Sequence, residues 1–137
     1  MKLIVQGNNI VACVSDDSPH FPDAIPAPEG FIEDLAFSYT YDGTKFNLDI
    51  TPTLIKETQT NLDTFAQRKG YDNIISAVSY INSSNTIYRS DANTAIYLRD
   101  ETWSALNTII DQIKANTIQV TSYSQIANSL PALVWPV

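Results

Sequence analysis

The chain has 137 residues, 44% of them hydrophobic and 17% charged, enough for one compact domain or two small lobes and too few for two catalytic domains. The net charge is −7, and residues 1–50 hold eight acids and two bases while 51–137 hold seven and six, so the acidity belongs to the N-terminal part. An acidic surface repels phosphate backbones and anionic lipids, and Arg68-Lys69 is only a pair, so the expectation is no nucleic-acid and no membrane partner.

The opening "LIVQGNNIVACV" sets two β-branched runs around Gln6-Gly7-Asn8-Asn9. Gly and Asn tolerate the positive φ of a tight turn, which predicts a hairpin of Lys2 to Val5 with Ile10 to Val14. The first apolar run is too short for a signal core or a membrane span, so the chain is expected to be cytoplasmic at synthesis. Cys13, the single cysteine, excludes an intramolecular disulfide or a multi-cysteine metal site and reads as a small buried hydrophobe.

Residues 15–30 hold four of the seven prolines, at 19, 22, 26 and 28. Proline lacks a ladder donor and fixes φ, so this stretch is expected to be a surface crossover, with Pro22, Pro26 and Pro28 as candidate partner contacts. Asp16, Asp17, His20 and Asp23 form the densest polar cluster. Proline-broken backbone converges ligands poorly, so the cluster is taken as a solvated acidic loop, with no metal and no cofactor expected. In "LAFSYTYDGTKFNLDI", Phe37, Tyr39 and Tyr41 alternate with Ser38 and Thr40, and Asp42-Gly43 signals a turn before Lys45 to Ile50: a second hairpin with one face buried.

After Pro52 the apolar period becomes helical. Thr51 or Thr53 caps a helix carrying Leu54, Ile55, Leu62, Phe65 and Ala66 and stopped by Gly70; Asp72 caps a short second helix with Ile74, Ile75, Ala77, Val78 and Ile81. Ser90 or Asp91 is expected to cap a long helix from Ala92 to Ala115, with Ala92, Ile96, Trp103, Leu106, Ile110 and Ile113 on one stripe and Arg99 among them. A last short helix is expected within Ser122–Leu130. The fold class is therefore α+β: a small antiparallel β lobe of two hairpins over 1–50, then an α-helical module of three to four helices over 51–137.

Catalytic machinery does not assemble from these residues. His20 is the sole histidine, no nucleophile elbow accompanies it, and the adjacent Asp100-Glu101 point to different azimuths of a helix. "YDGTKF" has one Gly and no G-K-S/T, a turn rather than a phosphate cradle. The chain is expected not to be an enzyme. Trp135, in the apolar "LPALVWPV", either docks on the chain's own core or is offered to a partner together with Leu133 and Pro136; docking is the expectation, with the indole N–H seeking an acceptor.

The stretch "TFAQRKGYDNIISAVSYINSSNTIYRSDANTAIYLRDETWSAL", with "LPALVWP" further on, resembles the C-terminal module of small tail, tail-fibre and tail-fibre-assembly proteins of tailed bacteriophages. The resembling positions are Phe65, Ala66, Arg68, Gly70, Tyr71, Asp72, Ala77, Tyr80, Asn82, Ser83, Arg99, Asp100, Trp103, Leu130, Pro131, Leu133, Trp135 and Pro136, over about the last 75 residues; Lys69, between Arg68 and Gly70, is a departure. The resemblance implies a non-enzymatic structural protein of the virion tail, made in the host cytoplasm, with fibre or baseplate subunits as partners and homo-oligomerisation open. Two alternatives stand beside it: a fibre-assembly chaperone absent from the particle, and a receptor-glycan-binding module stacking sugars on Tyr39 or Tyr41. Within the module, Arg99 and Trp103 are expected to pack against the Phe65 to Tyr80 corner, with Asp72 as the carboxylate for a buried Arg99.

Overall fold

The computed structural model describes residues 1–17 and 20–137; Ser18 and Pro19, part of the expected crossover, lie outside the described residues. The chain divides into two compact units, Met1–Pro52 and Thr53–Val137.

The first unit is a five-stranded antiparallel sheet. β1 (Lys2–Gln6) and β2 (Asn9–Val14) form the first hairpin, closed across the Gln6↔Asn9 pair with Gly7 at φ 61°. That positive φ is strained for any side chain with a Cβ, which is why Gly occupies the turn. The register slips by one residue between Ile4 and Val5, a bulge that leaves Ile10 and Cys13 on the same face as Leu3. β3 (Ile25–Pro26) pairs with β1, β4 (Tyr39–Tyr41) with β2, and β5 (Phe46–Leu48) with β4, giving the order β3-β1-β2-β4-β5. The antiparallel lobe with two hairpins followed by helices stands as the sequence predicts.

Two corrections apply inside it. The proline-rich stretch is not wholly a crossover, because Ile25–Pro26 adds a strand at the sheet edge, where Pro26 needs no outward N–H partner. Phe37 does not share a strand face with Tyr39 and Tyr41: Glu33–Ser38 is a 3-10 turn that leaves the Phe37 ring 78% exposed. Leu3, Ile10 and Tyr39 form the buried core of this unit, with Phe31 against the Tyr39 ring at 4.9 Å.

α1 (Thr51–Gln67) opens with the Thr51 N–H donating to Asp49 Oδ1 and buries Leu54, Thr58, Leu62, Phe65 and Ala66. It ends in a Schellman turn: Tyr71 N–H donates to Ala66 O at 3.2 Å and Gly70 N–H to Gln67 O at 2.9 Å, with Gly70 at φ 93°. The cap of α2 (Ile74–Val78) is Asn73, not Asp72; its side chain accepts from the Ser76 N–H at 2.8 Å. A 3-10 turn over Ser79–Asn82 follows. α3 (Thr86–Lys114) starts earlier than Ser90 or Asp91 would set it, because Asn85 Oδ1 caps the N–H groups of Ile87 and Tyr88. Its buried stripe is Asp91, Ala92, Ala95, Thr102, Leu106, Ile109 and Ile110, with Ile96, Trp103 and Ile113 only partly buried. The expected last helix resolves into two 3-10 turns, Tyr123–Gln125 and Ala127–Ser129. No helix among the described residues is long and apolar enough to cross a membrane.

Candidate protein-contact surface

The helical unit concentrates its chemistry where α1 ends. Leu62, Phe65, Ala66, Ile74, Ala77 and Ala95 form a buried cluster, and Tyr71, Trp103, Leu133 and Trp135 close over it. Phe65, fully buried, stacks on Trp135 with centroids 4.1 Å apart and planes 11° from parallel, and the Trp135 indole N–H donates to Phe65 O at 2.9 Å. Trp135 therefore docks on its own core, and its polar edge finds its acceptor where α1's last carbonyls lack intrahelical donors.

From this stack a string of rings leads outward: Trp135 to Tyr71 at 6.4 Å, Tyr71 to Tyr80 at 5.6 Å, Tyr80 to Tyr88 at 5.2 Å. Burial falls along it, from Phe65 at 0% exposure to Tyr80 at 39% and Tyr88 at 45%. The outer rings, with the exposed Ile87 on the first turn of α3, present an aromatic and apolar surface beside the core.

The polar lock of this corner is Asp91. Its carboxylate accepts the Tyr71 hydroxyl at 2.8 Å and lies 3.3 Å from Lys69 Nζ. Lys69 Nζ also stands 5.2 Å from the Trp135 ring centroid, so one ammonium ties the carboxylate and the indole together. Lys69, the departure from the resembling pattern, is thus integrated into the corner. Arg68 lies 6.0 Å over the opposite partner of the stack, Phe65.

Burial, and then the hydrogen bond to the Asp91 carboxylate, pushes the Tyr71 phenol up to about 12 from its ordinary 10.0. The folded chain then holds this proton more tightly than the unfolded chain, so the stability it contributes is complete below about pH 10 and is lost as pH rises from 10 to 12. A titration by tyrosinate absorbance should show one tyrosine ionising late in wild type, and this late component should move down in Asp91→Asn. A wild-type titration with all tyrosines near 10 would contradict the Tyr71 environment.

Arg99 departs from expectation. Its guanidinium bonds Asp100 Oδ1 at 2.9 and 3.0 Å on the outer part of α3, and Asp72 is exposed, its carbonyl accepting from Gln67 Nε2. Exposed neighbours of this kind contribute little, so Arg99→Ala should move stability by no more than about 0.5 kcal/mol. A loss well above that in denaturant unfolding would restore an inward role for Arg99. Trp103, by contrast, does close over the core as expected.

In the sheet unit, Pro22 and Pro26 are exposed and Pro28 is partly buried, its carbonyl accepting from the Phe31 N–H at 3.1 Å. Asp16 bonds the Met1 amino group at 2.6 Å, and the Cys13 thiol is raised by burial and then by Glu33, as suits a packed side chain. Tyr39 is buried with its hydroxyl accepting from the Ile32 N–H, and Tyr41 lies against Phe46 at 4.6 Å, so Tyr39 offers no open platform for a sugar ring. Leu133 and Trp135 face the core while Val134 and Pro136 face outward.

Sequence reasoning missed Asp91 as a site residue. The signal in the sequence is a carboxylate one helical turn before Ala95 on the buried stripe, a position that the sequence assigns to a helix cap. No family model, curated protein or solved structure matches the chain.

Proposed function

We propose that the chain is a non-enzymatic structural component of a bacteriophage tail, associated with the baseplate or a tail fibre and acting through contacts with other tail subunits. The observation that carries this reading is convergence: Phe65, Ala66, Gly70, Tyr71, Tyr80, Trp103, Leu133 and Trp135, all positions of the resembling pattern, meet in one corner of the helical unit. Such a pattern behaves as the signature of a module, a folded body rather than a reaction centre. The aromatic edge at Tyr80 and Tyr88 supplies a surface of the composition that protein interfaces favour.

A second reading, an assembly chaperone that leaves the finished particle, is favoured by the terminal segment. Among the described residues, no backbone–backbone hydrogen bond ties residues 131–137 to the body. Quantitative mass spectrometry of purified particles decides between them. A fixed copy number per virion is the expected result. Reproducible absence from particles, with the protein abundant in infected lysate, overturns the structural role in favour of the chaperone, and absence from both overturns the tail assignment.

A further inference from the structure

The segment from Leu130 to Val137 sits on the helical unit in the manner of a bound extended peptide. Its side chains alternate, with Leu133 and Trp135 directed into the apolar cluster and Ala132, Val134 and Pro136 outward, Val134 at 65% exposure. Leu130 N–H still closes the preceding turn on Ala127 O; beyond it, among the described residues, the segment is tied to the body by the indole bond to Phe65 O and the Lys69 ammonium over the Trp135 ring. Pro131 and Pro136 have no N–H to satisfy, and Leu130, held extended at φ −92° and ψ 154° ahead of Pro131, sends the segment away from the last 3-10 turn rather than back on it. Two anchor side chains on a stiff, donor-poor backbone are a low-entropy ligand for a preformed groove.

We infer that this groove also accepts Leu133 and Trp135 of a second copy of the chain, so that the protein associates by exchange of its 130–137 segments. Every contact made within one chain is available unchanged between two, because the occupant is chemically identical. Effective concentration then decides which wins, and the exchanged form gains with protein concentration. Charge does not oppose the encounter between helical units: residues 51–137 hold seven acids and six bases. Lys69 and Asp91, flanking the groove, are already paired to each other and leave no net charge for a second segment to overcome. The exchange follows from the geometry of the helical unit whether or not the chain serves a tail.

The test uses the full chain in sedimentation velocity over a wide concentration range, with a fluorescein-labelled peptide, LPALVWPV, as probe. Wild type should rise from the mass of one chain to at least twice that mass. Excess peptide should return it to one chain, and the same peptide with alanine in place of Trp135 should have no effect. Trp135→Ala should stay monomeric and bind the labelled peptide saturably by anisotropy. Should Trp135→Ala not fold, Leu133→Ala, which keeps the stacked ring, and peptide competition on wild type carry the decision. Wild type that is monomeric at every concentration overturns the inference, as does an oligomer that survives both Leu133→Ala and excess peptide.

Discussion

Trp135→Ala should cost the helical unit about 3 kcal/mol, among the largest losses for any partly exposed residue of the chain. Three contributions vanish together: the ring stacked at 4.1 Å on Phe65, the indole donation to Phe65 O, and the platform beneath the Lys69 ammonium. Removing the ring also uncovers Phe65, which is otherwise fully buried, so lost transfer energy is joined by an open hollow over the end of α1. Urea unfolding followed by far-ultraviolet circular dichroism should show the helical transition shifted to lower denaturant with little change in slope. Because Trp135 and Phe65 share one contact, Phe65→Ala on top of Trp135→Ala should cost less than the sum of the two single changes. A Trp135→Ala protein as stable as wild type would mean that the terminal segment contributes no core.

Asp91→Ala should cost about 2 kcal/mol, a large loss for a polar side chain. The carboxylate holds the Tyr71 hydroxyl and the Lys69 ammonium at once, and deleting it leaves a phenol without its acceptor at the edge of an apolar cluster. Asp91→Asn keeps an acceptor for Tyr71 while removing the charge, so roughly half of the loss, about 1 kcal/mol, should return. The Lys69 term is the smaller share, since that side chain is 38% exposed and water can replace its partner. Equal losses for Asp91→Ala and Asp91→Asn would make the ion pair the main contribution instead of the Tyr71 bond.

Local patterns carried most of the fold. The first hairpin, the Asp42-Gly43 turn and the stop at Gly70 were legible because each depends on residues within a few positions of one another. Helix starts were misplaced where cap-forming residues crowd together. "SSNTIYRSD" offers Asn85, Ser90 and Asp91, and only the geometry shows that Asn85 receives the free N–H groups. The misplacement has a chemical consequence: a cap role would occupy the Asp91 carboxylate with backbone N–H groups, whereas it is 7% exposed and bound to Tyr71 and Lys69. Its partner Tyr71 lies 20 residues earlier in the chain, a separation that no periodicity reports. Arg99 fell into the opposite error. Helical spacing put it on the inward stripe, but a long side chain can leave a stripe at its edge and turn its head to an adjacent carboxylate.

The Trp135 bond to Phe65 spans 70 positions of sequence. On a translating ribosome, the antiparallel sheet of residues 2–48 has all its strands soon after Leu48 emerges. The helical unit must wait: α1 is synthesised with Phe65 on its apolar face, yet the ring that covers it is made 70 residues later, after the whole of α3. Throughout that interval the nascent chain displays an uncapped aromatic corner, the kind of transient apolar surface that invites aggregation or capture by a holding factor. Covering of the Phe65 corner therefore waits until Trp135 has been synthesised.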